Sequence, residues 1–379
     1  MKKILTLLLL ILIPTTHTFA AFSYYRSVTI DKTKVSGAVA TPSNFPVLIN
    51  GVYSYLATTG NGGRVQNANG YDVGFYTSSD CATGKMNWET VMYSATTGTV
   101  EYWVKASSLS TTTDTVFYMC MGDSSITTDQ SNVSGVWDAN YVGVWHMGTP
   151  SSLSATDSIG NGNGTIVGSP SSGAGKIGGG LVMTGTSQYI NAGNSSVYNF
   201  TSSAFTVEAW LKHNSTNPNF QTFIKRGDYT VNGWYFQTDN ASPKTSPWFA
   251  TNQSGTYQLT AATTALNKGG WTHLVAVRNG SSVRIYADGV DKVTSAGSHN
   301  NPTSVTTDLL IGTWKDIMDE VRISNTNRSL DWIKTEYNNQ SATSTFYTIG
   351  SENSLVVVQY FNRMIVWAKT IINSFVTIN

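Results

Sequence analysis

The chain has 379 residues, a formal net charge of +1 and 12% charged residues, about half of the usual share of roughly 25%. No block of lysine and arginine is present, so nucleic acid is not an expected partner. Abundant glycine (34), tyrosine (19) and tryptophan (11) favour short β-strands joined by turns and disfavour a helical bundle.

Residues 1–20 have the pattern of a secretory signal peptide. Two lysines precede an apolar run from Ile4 to Ile13, and Thr18 and Ala20 fit the positions before a cleavage site. The apolar run is too short to be a stable membrane anchor. We therefore expect a secreted or cell-surface protein whose mature chain has no membrane span.

Residues 21–138 are predicted to form a β-rich sandwich domain of unknown function. Candidate strands alternate with turn-rich stretches, and the residues of 100–106 divide between two faces in strict alternation. Cys81 and Cys120 are the two cysteines, and in an exported protein they are expected to form a disulfide. The alternative is two separate buried thiols.

Residues 139–350 are predicted to form a second antiparallel β domain. In 205–212 one face carries apolar residues and the other carries Thr, Glu, Trp and Lys, as expected for a strand. Asn279-Gly280 separates two further strands and signals a hairpin. A helix is expected to begin after Ser329, a good N-terminal cap.

The last stretch, 351–379, is an apolar tail. Its apolar residues recur at helical spacing, but Arg363 and Lys369 interrupt them, which argues against a membrane-spanning helix. The tail is expected to dock on this protein or on a partner, so self-association through 355–379 is one hypothesis.

Several stretches of the second region resemble the laminin-G-like, concanavalin A-like jelly-roll family of bacterial exported proteins. They are YVGVWHMG (141–148), DSIGNGNGT (157–165), KIGGGLVMTGTSQYI (176–190), FTVEAWLK (205–212), WTHLVAVRNGSSVRIYADG (271–289) and MDEVRISNTNRSLDWIKTEYNN (318–339). The resemblance implies an all-β fold with two antiparallel sheets packed face to face, preceded by the uncharacterised β-rich domain. One departure is that Trp314-Lys315-Asp316-Ile317 stands where the family usually has a glycine.

The acidic pair Asp319-Glu320 is the first candidate for catalysis. Glycosidases on this fold need carboxylates that alternate along one strand, and neighbouring strand residues face opposite sides. We therefore expect Asp319 to brace a loop, Glu320 to pair with Arg322, and no catalytic residues. The protein is predicted not to be an enzyme.

Calcium is the cofactor that the resemblance suggests, as a structural ion. Asp157 lies in a run of oxygen-bearing residues and glycines, and with Asp319 it forms the candidate ligand pair. The alternative is an ordinary turn stabilised by its aspartate and asparagines. The histidines show no metal-site spacing, and His273 is expected to face solvent or a neighbouring strand.

Aromatic residues in turn-rich segments are the stronger functional candidates. Trp234, Trp248, Tyr257 and Trp314 are predicted to offer flat apolar faces to sugar rings, although core packing is the alternative for each. The leading hypothesis is an exported, non-enzymatic protein that binds carbohydrate or another cell-surface ligand. The rivals are a self-assembling surface or filament subunit and a glycoside hydrolase or lyase.

Overall fold

A computed structural model describes residues 22–37, 42–213, 221–227, 230, 232–239, 246–313 and 315–355. The predicted signal peptide, Trp314 and tail residues 356–379 lie outside these ranges. Within them, no helix has the length and apolar character needed to cross a membrane.

The first domain is built from six strands and a short helix, followed later by two returning strands. Its strands are β1 Tyr24–Ile30, β2 Ser43–Val52, β3 Val73–Tyr76, β4 Trp88–Tyr93, β5 Thr99–Ser108 and β6 Thr115–Met121, with α1 at Val133–Val136. Three 3-10 turns, Lys32–Lys34, Ser54–Leu56 and Thr59–Asn61, connect them.

The second domain supplies most of the remaining strands. They are β7 Tyr141–Trp145, β8 Gly148–Thr149, β9 Ser152–Leu153, β10 Thr165–Val167, β11 Ser171–Ala174, β12 Gly179–Met183, β13 Tyr189–Asn191, β14 Phe205–Lys212, β15 Thr222–Gly227, β16 Gly233–Thr238, β17 Pro247–Gln253, β18 Thr256–Ala261, β19 Trp271–Asn279, β20 Ser282–Ala287, β21 Val290–Asp291, β22 Gly297–Ser298, β23 Leu309–Gly312 and β24 Asp316–Ser324. A 3-10 turn spans Ser196–Tyr198, and the last described elements are α2 Leu330–Ser341, α3 Thr343–Phe346, β25 Tyr347–Ile349 and β26 Asn353–Ser354.

Two antiparallel sheets form the first domain, as the alternating strands predict. One has the order β25-β1-β6-β3, with β26 beside β1, and the other has the order β2-β5-β4. Cys81 and Cys120 form the predicted disulfide, which links the turn after β3 to β6. Closing a loop of this length contributes about 4 kcal/mol in the chain-entropy model.

Two larger sheets form the second domain, and the predicted face-to-face packing is confirmed. Among the described residues, one sheet runs β10-β13-β23-β15-β16-β17-β18 and the other β11-β12-β24-β14-β19-β20-β21, with β7 beside β24 and β22 beside β20. The apolar face of β14 packs into the core between them, where Phe205, Val207, Ala209 and Leu211 are buried. The opposite face of β14 therefore points away from this core.

Residues 347–354 return to the first domain. Strands β25 and β26 both pair with β1, so Tyr347–Ile349, which the sequence places in the second domain, belongs to the first domain's sheet. Helix α2 begins after Ser329, whose Oγ accepts the Trp332 amide as predicted. Trp332 packs with the core of the first domain, whereas Ile333 packs with Val275 and Val277 of the second. The helix is therefore shared by both domains.

Candidate functional site: an outer sheet face and a buried acidic junction

Trp234 belongs to the core of the second domain. Its side chain is 1% exposed, packs among apolar residues from both sheets, and donates its Nε1–H to the Tyr198 carbonyl at 3.0 Å. The prediction that Trp234 contacts a ligand is therefore corrected, because β16 turns this residue inward. Trp314 lies outside the described residues.

The neighbouring residues of the same strands lie on the outer face of the seven-stranded sheet. Tyr235, Trp248 and Ala250 form an apolar cluster separate from the main core, with the two rings 5.4 Å apart edge to face. At the edge of the sheet, Tyr257 is 50% exposed and Leu259 48% exposed. Trp248 and Tyr257 thus share one face, but Trp248 is 7% exposed, so of the predicted aromatic residues that the structure describes only Tyr257 is open to solvent.

The strand register orders this outer face in rows. Gln237 and Trp248 pair in one row, Tyr235, Ala250 and Leu259 form the next, and Asn252 pairs with Tyr257 in the third. Polar groups from β15 extend two of the rows: Lys225 pairs with Tyr235, and Thr222 donates to Gln237 at 3.3 Å. Of the residues named in these rows, solvent reaches Tyr257, Leu259 and Lys225, which combine an aromatic ring with a polar side chain, as sugar sites do.

A β-bulge changes the position of the acidic pair. Opposite β14, Asp319 pairs with Trp210 and Arg322 with Glu208, so β24 has one residue more than its partner there. Glu320 adopts the left-handed backbone conformation (φ 50°) that such a bulge requires. Asp319 and Glu320 therefore both lie on the outer side of the nine-stranded sheet, and the predicted strict alternation is wrong at this point.

Both acids are buried at the junction between the two domains. The Glu320 carboxylate contacts Arg322, as predicted, and also His146, whose Nδ1 lies 2.8 Å away. His146 Nε2 is 3.4 Å from Glu89 of the first domain, and its ring stacks on Trp103. These contacts connect the sheet of the second domain to strands β4 and β5 of the first.

Asp319 braces a loop, as the sequence predicts. Its Oδ2 accepts the Ile177 amide at 2.8 Å, which holds the 175–178 turn against the sheet. Gly178 in this turn has φ +50°, and a Cβ there would stand 2.2 Å from Oε2 of Glu101. Only glycine allows the backbone this close to the buried carboxyl.

Arg322 is the hub of the network beneath helix α2. Its Nη1 lies 3.0 Å from Oε1 of Glu336 on the helix and 3.6 Å from Oε1 of Glu208 on β14. The guanidinium also lies over the Trp103 ring, 4.6 Å from its centroid. One cation therefore faces three carboxyl groups, all of them buried.

Burial changes the acidity of these groups in opposite directions. Burial, reinforced by Glu320, raises the pKa of Glu101 to about 8, and burial with the nearby Glu336 raises that of Glu208. Burial opposes the charge on His146, but the carboxylates of Glu320 and Glu89 raise its pKa well above the ordinary value. By contrast, burial lowers the pKa of His273 to about 3.

Asp157 serves its own loop. Its two carboxylate oxygens accept four backbone N–H groups, from Val144, Ile159, Asn161 and Gly162, at 2.8–3.0 Å. This is the aspartate-stabilised turn that the sequence left as the alternative to calcium. Calcium bound by Asp157 and Asp319 stays a prediction.

Among the described residues, the donor atoms of two other groups lie within 4.8 Å of one another: Glu101, His146 and Glu320, and Glu208, His273 and Glu336. Sequence reasoning missed both groups, because their members come from distant strands and a helix. His273 is 1% exposed and its ring lies 5.1 Å from that of Trp210 on β14, so of the two expectations the neighbouring strand is the one it faces. One signal in the sequence could have indicated the second group. Glu208 lies in a strand whose other face is apolar and buried, and a charged residue there needs partners if its own face is covered as well.

Residues 184–334 match the family model of the concanavalin A-like lectin/glucanases superfamily, Laminin_G_3. The second domain is a laminin-G-like, concanavalin A-like jelly roll. A comparison with curated protein sequences finds no match.

Solved structures similar to the jelly roll include domain 4 of AbnA, a GH43 extracellular arabinanase from Geobacillus stearothermophilus, in complex with arabinotriose. Its identity is 19% and its TM-score 0.43, covering 52% of this chain and 98% of that one. The binding domain of Paraclostridial Mosquitocidal Protein 1 has 12% identity, a TM-score of 0.44 and 52% coverage of each chain. The botulinum neurotoxin serotype D binding domain has 13% identity and a TM-score of 0.41, covering 55% of this chain and 53% of that one. The chain thus spans about half the length of these two toxin domains.

Proposed function

We propose that this is an exported, non-enzymatic binding protein whose jelly roll recognises carbohydrate or another cell-surface ligand. The observation that carries the proposal is the outer face of the seven-stranded sheet. There the half-exposed Tyr257 ring and Leu259 lie at the sheet edge, and the partly exposed Lys225 extends the row of Leu259, Ala250 and Tyr235. Sugar rings stack on aromatic faces while polar groups hold their hydroxyls, so both components of a glycan site are present.

Export is supported by two independent features. The first 20 residues have the composition of a signal peptide. The Cys81–Cys120 disulfide belongs to the chemistry of oxidising compartments, because cytosolic thiols are kept reduced.

A binding role rather than hydrolysis is supported by where the acidic pair lies. Asp319 and Glu320 are 0% and 1% exposed, beneath the first domain, whereas glycosidases need two carboxyl groups lining an open cleft. A broad panel of polysaccharides tests this part of the proposal. Turnover of any of them by the purified chain, lost in Glu320→Gln, would contradict it.

The binding face is tested on a glycan array followed by calorimetric titration of the best ligand. Tyr257→Ala is expected to weaken binding about tenfold or more, since stacking a ring is worth about 1–3 kcal/mol in other aromatic sites. Trp248→Ala is expected to reduce affinity in the same direction.

The matched control is Val116→Ala, which truncates a 43% exposed apolar residue of the first domain. It should leave affinity unchanged. Absence of binding to every glycan, or equal affinity in the Tyr257 variant and the wild type, would contradict the proposal.

Self-assembly through 355–379 stays the rival hypothesis. Light scattering on the full chain and on a chain ending at Leu355 separates the two, because an assembly built on the tail should dissociate when the tail is removed. Identical monomers in both samples would eliminate this rival.

A further inference from the structure

A second cluster beneath helix α2 has no role in the proposed binding face. Glu208 on β14, His273 on β19 and Glu336 on α2 bring their donor atoms within 4.8 Å of one another. All three side chains are buried, with exposures of 3%, 1% and 1%. The cluster therefore joins two strands of the jelly roll to the helix that both domains share.

The inner atoms of this cluster have no hydrogen-bond partner. They are Oε2 of Glu208, Oε2 of Glu336 and both ring nitrogens of His273. His273 Nε2 and Glu208 Oε2 are 3.7 Å apart, too far for a hydrogen bond. Buried polar atoms are nearly always paired, so four unpaired atoms in one place indicate that something binds them.

Arg322 does not satisfy these atoms. Its Nη1 faces the other carboxyl oxygens, Oε1 of Glu336 at 3.0 Å and Oε1 of Glu208 at 3.6 Å. The same guanidinium also pairs with Glu320. One arginine therefore faces three carboxyl groups. Oε2 of Glu208 and Oε2 of Glu336 form no hydrogen bond with it and remain available to a second cation.

The state of His273 suits a metal ligand. Its side chain is buried and neither ring nitrogen has a hydrogen-bond partner, so one nitrogen is open to coordinate a metal ion. His146 in the other group differs, because Glu320 and Glu89 keep it protonated and hydrogen-bonded. The Glu101–His146–Glu320 group also has two atoms without a hydrogen-bond partner, Oε2 of Glu101 and Nε2 of His146, but its imidazole forms ion pairs with Glu320 and Glu89. The group around His273 has four such atoms, and its imidazole has no carboxylate within hydrogen-bond distance.

We propose that Glu208, His273 and Glu336 hold a divalent transition-metal ion, zinc in the first instance, which fastens α2 to β14 and β19. One imidazole nitrogen and two carboxylate oxygens are a donor set that zinc accepts in proteins. A proton shared between the two glutamates is the competing explanation. It pairs the carboxyl oxygens but leaves both nitrogens of His273 unpaired.

The test is metal content of the full chain refolded with zinc and then dialysed against a weak chelator. Mass spectrometry of the metal should find about one zinc per chain in the wild type. His273→Gln and Glu336→Gln should lose it, and a strong chelator should lower the melting temperature of the wild type but not of these two variants. The matched control is His299→Gln, because both ring nitrogens of His299 already contact threonine hydroxyls at 2.9 Å.

Refolding the wild-type protein with cobalt tests the proposed site without relying on the variants, which matters if the variants do not fold. Cobalt held by nitrogen and oxygen ligands in a low-coordinate site gives intense visible absorption bands in the wild type. Wild-type protein that binds neither zinc nor cobalt, or zinc retained by folded His273→Gln, would overturn the proposal. The first result would leave a shared proton as the explanation.

Discussion

Glu320 shows how one backbone conformation relocates a functional group. Counted from Met318, which lies in the jelly-roll core, regular alternation would turn its side chain into that core as well. The left-handed conformation at φ 50° instead turns it to the side of Asp319 and Arg322. The position is energetically unfavourable for a residue with a Cβ, and the contacts with Arg322 and His146 compensate for it.

Glu101 is expected to make the stability of the protein fall as pH rises. Folding raises the pKa of this carboxyl from 4.5 to about 8, so the folded state keeps a proton that the unfolded state releases. Between about pH 4.5 and pH 8 the free energy of unfolding therefore decreases. Glu101→Gln, which still accepts the Trp103 N–H, should reduce this decrease when urea unfolding is measured across the range.

Glu208 and Asp319 have pKa values raised in the same direction, so the Glu101 variant should lessen the pH dependence without abolishing it. Glu352→Gln, at the surface ion pair with Arg64, is the matched control and should retain the wild-type profile. An unchanged pH profile in Glu101→Gln would show that this carboxyl is not protonated in the folded state.

Helix α2 is bound to the sheet as much by polar as by apolar contacts. Ile333 packs on Val275 and Val277, while Glu336 meets Arg322, and Gln340 accepts the Trp210 N–H at 2.6 Å. A surface helix normally turns its polar residues to solvent. Here the polar residues of α2 face the sheet instead, where Glu336 pairs with Arg322 and Gln340 accepts the Trp210 N–H.

Arg322→Met is expected to destabilise the protein by about 3–5 kcal/mol, because it leaves buried carboxylates without their cation. Chemical unfolding of the variant and the wild type measures the difference. Arg284→Met is the matched control, since its pair with Asp291 is 41% and 30% exposed and such pairs contribute about 0–1 kcal/mol. Similar losses in the two variants would contradict the central role given to Arg322.

The two domains form one unit at the scale of the whole molecule. Glu89, Trp103 and Trp137 of the first domain contact His146 or Arg322 of the second. Strand β25 brings Tyr347–Ile349 back to the first sheet, and Tyr347 completes the core there. Separating the domains would expose a buried face that carries several charges together with tryptophan rings.

Calorimetry is therefore expected to show a single cooperative unfolding transition for residues 22–355. The shared helix and the buried junction must be disrupted before either domain can unfold, so the two losses of structure coincide. Arg322→Met should shift this transition to lower temperature. Two well-separated transitions in the wild type would show that the domains unfold independently.

The sequence by itself determined the strands, the helix start and the disulfide, which depend on residue types and their spacing along the chain. Alternation of apolar residues in 205–212 identified β14 and its core face, Ser329 marked the start of α2, and the landmarks of 141–339 indicated the jelly roll. The two cysteines were correctly paired because a chain with only two cysteines has one way to join them. Strand alternation and helix capping depend on residues close together in the chain, and two cysteines leave a single possible pairing. These features can therefore be predicted from the sequence.

Tertiary structure alone decided which side each functional group faces and what it meets there. The bulge at Glu320, the inward turn of Trp234 and the return of β25 to the first sheet depend on register between strands far apart in the chain. The group formed by Glu208, His273 and Glu336 spans 129 positions of sequence, as the residue numbers show. Burial and the shortage of positive charge there follow from packing two domains around one helix, and no local pattern encodes that arrangement.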